Sequence, residues 1–168
     1  MSLPIQVLTV LHVVVSLIGI ATGAVVVYGM LSARDFARWV SAFLLTTILT
    51  SATGFLFPFV KLLPSHIVGA ISLVLLAAAI TARYKHALAY KWRLIYVVCS
   101  VSAFYLNVFV GIVQAFLKIP SLKALAPTQA DPPFLVVQLV VLISFLVLGV
   151  VAGRTFRPTM VLPAATEK

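Results

Sequence analysis

The chain alternates between long apolar runs and short polar connections, and each run is long enough to cross a lipid bilayer. A transmembrane α-helix needs about 20 consecutive apolar residues. Membrane β-barrel strands instead alternate between apolar and polar positions, which these continuous runs do not. The pattern therefore predicts an all-α, polytopic membrane protein, a single bundle of five transmembrane helices at about residues 4–30, 39–59, 65–82, 94–117 and 134–153.

Composition supports this assignment. Of the 168 residues, 63% are hydrophobic and only 9% are charged, and the mean hydropathy is +1.21. A soluble domain carries about 45–50% apolar and about 25% charged residues. This small number of charged residues could not cover the surface of a water-soluble fold. We therefore expect the whole chain to form one transmembrane domain embedded in lipid.

The net charge of +9 is distributed unevenly along the chain. One set of alternate connections, with the C-terminal tail, holds Arg34, Arg38, Arg83, Lys85, Lys91, Arg93, Arg154, Arg157 and Lys168, whereas the other set holds only Lys61, Lys118 and Lys123. Cytoplasmic loops of membrane proteins are enriched in Lys and Arg. This bias predicts an outside N-terminus and a cytoplasmic C-terminus in a bacterial-type inner membrane. It also accounts for the positive charge without nucleic-acid binding.

The connection between the third and fourth runs has the densest positive charge, from Arg83, Lys85, Lys91 and Arg93. Such a cluster beside a membrane helix is typical of a site for anionic lipid head groups. Ordinary enrichment of cytoplasmic loops in basic residues is the favoured explanation of the same cluster.

Polar residues of the fourth run fall on one helical face. Arg93, Tyr96, Ser100, Ala103, Asn107, Gly111, Gln114 and Lys118 form this stripe, because positions separated by three, four or seven residues share a face. Polar side chains facing lipid are costly, so the stripe is expected to face the bundle interior from a central helix. It could also line the path of a transport or channel subunit.

The strongest polar groups of several runs converge in depth. With a rise of about 1.5 Å per residue, His12, Thr53 and Gln138 lie about 8–12 Å below the outer boundary, with Gln114 slightly shallower and Asn107 deeper. These five residues predict an outward-facing polar pocket for a small molecule, a lipid head group or a quinone-like ligand. The same groups could alternatively hydrogen-bond one another as contacts between helices.

The acidic residues and sequence motifs argue against catalysis. Asp35 and Asp131 lie in connections and Glu167 in the tail, so no carboxylate falls within a predicted span. P-loop, CxxC, HExxH and GxSxG motifs are also absent from the sequence. We therefore assign no catalytic residue and expect a non-enzymatic protein.

His12 and His66 offer an alternative function, as ligands of haem b or another metal in a membrane redox or assembly component. Their estimated depths differ by about 10 Å, which disfavours one shared macrocycle. The cofactor therefore stays unassigned.

Two GxxxG pairs, Gly19–Gly23 and Gly149–Gly153, predict close helix packing, either within the chain or in a homo-oligomer or larger membrane complex.

Overall fold

The structure, a computed structural model, describes residues 3–57 and 64–157. Within these ranges the regular structure is helical and no strand occurs, which confirms the predicted all-α class. The α-helices are α1 (Leu3–Leu31), α2 (Ala37–Gly54), α3 (Pro64–Ile80), α4 (Lys91–Lys118), α5 (Pro120–Leu125) and α6 (Pro132–Thr155). A π-helical turn, Thr81–Lys85, continues α3 without a break.

Four helical segments are long and apolar enough to cross a membrane: α1, His66–Lys85, α4 and α6. They support a helical membrane protein. The second helix of the prediction is not among them in the described part of the chain, because the 18 residues of α2 include Arg38 and six hydroxyl-bearing side chains, which lower its mean hydropathy. The hydroxyl-bearing residues are Ser41, Thr46, Thr47, Thr50, Ser51 and Thr53. The predicted end of this helix at residue 59 lies outside the described residues, as does Lys61.

The other predicted boundaries differ from the observed ones by a few residues at most. The largest differences are three residues: α4 begins at Lys91 rather than at residue 94, and α3 with its π-helical turn ends at Lys85 rather than at residue 82. Charged side chains can extend to the membrane surface while their backbone stays helical, so a charge does not mark the end of a helix. The short α5 begins at a proline, as first helical turns commonly do.

Helix α4 lies at the centre of the bundle, in contact with α1, α2, α3 and α6. Its buried residues are Tyr96, Val97, Ser100, Val101, Ala103, Phe104, Asn107 and Phe116. The predicted polar stripe is therefore buried from Tyr96 to Asn107. Farther along the helix it is not, because Gln114 and Lys118 are exposed.

Both GxxxG pairs pack within the chain. A methyl group built on Gly23 would lie 2.6 Å from the ring of Phe104 in α4. On the other side of α4, methyl groups built on Gly149 and Gly153 would lie 3.6 Å from Val101 and 3.2 Å from Leu94. The small residues thus let α1 and α6 approach the central helix closely.

Packing is tighter at one end of the bundle than at the other. We call the tighter end the basic end; there α1 and α6 finish and α4 begins, and the opposite end is the far end. In α1 the buried residues all fall between Gly19 and Met30, whereas every described residue from Leu3 to Ile18 is at least partly exposed. At the basic end the Thr155 hydroxyl lies 3.0 Å from the Met30 carbonyl and 2.9 Å from the Val151 carbonyl of its own helix, so its proton is shared between α1 and α6.

Candidate functional site

His12 connects α1 and α2 near the far end of the bundle. Its Nδ1 atom lies 2.9 Å from the hydroxyl oxygen of Thr53. The imidazole is half-buried, and Phe57 packs against it at right angles with the ring centroids 5.4 Å apart. The structure therefore brings together two of the five residues predicted to line a pocket.

Asn107, another predicted pocket residue, lies deeper, where α1, α2 and α4 meet. It is buried, and a methyl group built on Gly19 would lie 2.8 Å from its Nδ2 atom. The hydroxyl oxygens of Thr46 and Thr47 each lie 3.4 Å from the same methyl position. The absence of a side chain at Gly19 thus allows polar groups from two other helices to gather beside the α1 backbone.

Several polar atoms in this region lack hydrogen-bond partners among the residues that the structure describes. They are Asn107 Nδ2 and the hydroxyl oxygens of Thr47 and Thr50. Thr46 differs, because its hydroxyl donates to the Ala42 carbonyl of its own helix at 2.7 Å. Buried polar groups are nearly always satisfied, by protein, water or ligand. Each orphaned group here is therefore a position where a bound molecule would gain a hydrogen bond.

Gln138 and Gln114 occupy different surroundings. Gln138 is buried, its Nε2 donates to the Phe109 carbonyl of α4 at 3.3 Å, and its Oε1 accepts nothing from the described residues. Gln114 is exposed on α4, one turn from the exposed Lys118. The sequence placed Gln114 in the interior because it continues the polar stripe, but neighbouring helices leave this face of α4 uncovered at that end, where Phe116 on another face is buried.

Sequence reasoning missed Thr47, Thr50 and Gly19 as members of this polar region. It identified Gly19 only as a packing residue. Thr46, Thr47, Thr50 and Thr53 all occur in α2, and this density of hydroxyl groups was the available signal. It did not identify Thr47, because the rotation of α2 decides which hydroxyls point inward.

His66 does not join His12 across a common cavity in the described structure. It is buried, and its ring lies 5.7 Å from that of Phe55. Because Thr53 and Phe55 are two positions apart, they project from roughly opposite sides of the end of α2. The two histidines therefore flank this helix end. Within residues 3–57 and 64–157 no group of three His, Cys, Asp or Glu residues could hold a metal ion.

The four basic residues predicted to bind a lipid head group divide into two pairs. Arg83 donates to both carboxylate oxygens of Asp35, each at 3.0 Å. Arg93 donates to the carbonyls of Gly153, at 2.9 Å, and Phe156 at the end of α6. These two arginines hold the bundle together, whereas Lys85 and Lys91 are exposed and are accessible to head groups.

Comparison with protein-family models, with curated proteins and with solved structures finds no match to this chain. The chemistry of the polar region is therefore the basis on which a function can be assigned. Its central features are the His12–Thr53 pair and the Asn107 amide beside Gly19.

Proposed function

We propose that this chain is a non-enzymatic, multi-pass membrane protein that holds a small molecule, lipid head group or quinone-like ligand in a polar pocket. The observation that carries the proposal is the buried Asn107 amide, whose Nδ2 finds no acceptor among the described residues. An unsatisfied polar group in hydrocarbon costs several kcal/mol. A ligand that accepts a hydrogen bond from this amide would recover that free energy.

The difference in packing between the two ends supports a pocket that opens at the far end. Helix α1 is buried only from Gly19 onward, and Gly19 lies beside Asn107. The half of α1 that carries His12 is more loosely packed, so a ligand could enter there. In this arrangement His12 and Thr53 line the entrance and Asn107 lies at its base. Gln138, on α6, has different surroundings and lies outside this arrangement.

We also propose five spans, with α2 as the second, in an inner membrane with the basic end in the cytoplasm. Although α2 is rich in hydroxyl groups, several of them donate to carbonyls of their own helix. Ser41, Thr46 and Thr53 bond the carbonyls of Ala37, Ala42 and Leu49 in this way. Hydroxyls satisfied within a helix are compatible with a membrane span. Five crossings also bring the basic connections to one side, as the distribution of Lys and Arg in cytoplasmic loops requires.

Native mass spectrometry of the protein released from mild detergent would test the pocket. We expect a bound small molecule on the wild type and at least about a tenfold loss of occupancy in Asn107→Leu, which keeps the side-chain shape but removes the amide. Ser144→Ala is the matched control, because the exposed Ser144 hydroxyl bonds only the Val140 carbonyl of its own helix. A wild type without bound molecules, or equal occupancy in Asn107→Leu, would contradict the pocket.

A second candidate, a haem- or metal-bearing redox component, is favoured by the geometry of His12. Histidines that ligate metals commonly hydrogen-bond through their other ring nitrogen, and Nδ1 of His12 is held by Thr53. The visible absorption spectrum of the purified protein, oxidised and then reduced, tests this function. A Soret band that disappears in His12→Ala would support it, and a featureless spectrum would remove it.

A further inference from the structure

The hydroxyl of Thr53 determines which nitrogen of His12 carries the proton. Its oxygen lies 2.7 Å from the Leu49 carbonyl and 2.9 Å from His12 Nδ1. A carbonyl has no proton to give, and two acceptor oxygens do not approach to 2.7 Å unless a proton lies between them. Threonine in a helix commonly donates to the carbonyl four residues earlier. The single hydroxyl proton of Thr53 is therefore directed at Leu49.

Thr53 consequently accepts a hydrogen bond from His12. The proton in that bond comes from the imidazole, so Nδ1 is the protonated nitrogen. A neutral imidazole carries one N–H group, so its other nitrogen, Nε2, is a hydrogen-bond acceptor. Phe57, packed at right angles to the imidazole, restrains the orientation of the ring.

The Nε2 atom of His12 is available to accept a hydrogen bond from a bound molecule. No donor among the described residues hydrogen-bonds Nε2, and the imidazole lies in the half of α1 that has no fully buried residue. Neighbouring Leu11 and Val13 are exposed and apolar, so a ligand here would contact hydrocarbon.

Given the pocket proposed above, we infer that its ligand is an uncharged, hydroxyl-bearing amphiphile, such as an alkylphenol, a quinol or an alcohol, that donates its O–H to His12 Nε2. The apolar part of the ligand lies against the exposed face of α1. A matching ether or ketone has no proton to donate and leaves Nε2 unsatisfied. The site therefore selects the hydroxyl form of a ligand over its alkylated or oxidised form.

Binding of 4-heptylphenol and 4-heptylanisole to the full chain in lipid nanodiscs tests this inference, with empty nanodiscs correcting for partition into lipid. The two probes share ring and tail, and only the phenol has a hydroxyl proton. We expect the wild type to bind the phenol about tenfold more tightly than the ether. His12→Phe, which keeps a ring at the same position, should bind both probes equally.

Thr53 provides a matched pair of variants. Thr53→Ser retains the hydroxyl, so the preference for the phenol should be retained. Thr53→Val keeps the shape of the side chain but releases the imidazole, so the preference should fall severalfold. A ¹⁵N spectrum of histidine-labelled protein, with His12 assigned by its absence from His12→Phe, should show Nδ1 protonated and Nε2 unprotonated.

The outcomes separate this inference from the pocket itself. An unchanged preference for the phenol in His12→Phe, or a protonated Nε2 in the wild type, would overturn the role of His12. Equal binding of both probes, abolished by Asn107→Leu, would leave the pocket in place and overturn the hydroxyl requirement. Failure of both probes to bind, together with the absence of any co-purified molecule, would overturn the pocket.

Discussion

Arg83 and Asp35 are 48 residues apart in sequence and form an ion pair in which one guanidinium nitrogen lies 3.0 Å from each carboxylate oxygen. Arg83 lies in the π-helical turn after α3, and Asp35 lies in the connection between α1 and α2. The guanidinium carbon also lies 5.4 Å from the centre of the buried Tyr96 ring. The positive charge of Arg83 thus joins the π-helical turn to the α1–α2 connection and to α4.

Removing the carboxylate should weaken the fold. In Asp35→Asn the guanidinium loses its countercharge while the Arg83 side chain remains only 9% exposed. We expect a loss of about 2 kcal/mol in the free energy of unfolding, because a hydrogen-bonded charge is left unpaired. Unfolding in detergent measures the effect. Asp131→Asn is the control, since the Asp131 carboxylate bonds only Thr128 in its own turn, and equal stability of the two variants would contradict the role of the pair.

Arg93 should stabilise the end of α6. Its guanidinium satisfies the carbonyls of Gly153 and Phe156, which a helix end otherwise leaves to solvent. Arg93→Met keeps the apolar stem and should cost about 1–3 kcal/mol. Faster hydrogen exchange in the last turn of α6 would accompany this loss. Arg154 follows Gly153 in α6 and is exposed, so Arg154→Gln should change neither the free energy of unfolding nor the hydrogen exchange of the last turn. Similar effects of the two variants would reject the assignment.

The glycines that face α4 should differ in their tolerance of alanine. A methyl group on Gly23 meets the buried Phe104 ring at 2.6 Å, whereas one on Gly149 meets Val101 at 3.6 Å, an ordinary contact. Gly23→Ala should therefore destabilise the bundle by about 1–3 kcal/mol through overpacking. Gly149→Ala should be close to neutral. The thermal midpoints of the two variants in detergent decide this, and a neutral Gly23→Ala would show that α1 packs differently.

Cysteine labelling can decide whether α2 crosses the membrane. In a Cys99→Ala background, single cysteines at Ser32 and Ala87, both exposed, are separated by α2 and α3. If both helices cross, a membrane-impermeant maleimide reaches the two positions from the same, cytoplasmic side. A cysteine at the exposed Ala124 in α5 should react from the opposite side. Labelling of positions 32 and 87 from opposite sides would contradict five spans.

The candidate site was only partly predictable, for reasons that particular residues show. Asn107 lies buried on the polar face that the periodicity of α4 indicated, but Gln114, two turns later on the same face, is exposed. Periodicity identifies residues that share a helix face, but it does not show how far along the helix that face is covered. The arrangement of Thr47 and Asn107 around Gly19 depends on the rotation of three helices about their axes, which no single helix encodes.

The sequence by itself determined the class of the protein, because long apolar runs and few charges are stable only as helices in a membrane. The approximate positions of most helices followed from the same pattern. Only the tertiary structure decided that Arg83 pairs with Asp35 and that Thr53 orients His12. Both contacts join residues that are distant in sequence, and their geometry depends on how side chains from different helices pack together. That packing converts a series of polar positions into a site with a defined donor and acceptor pattern.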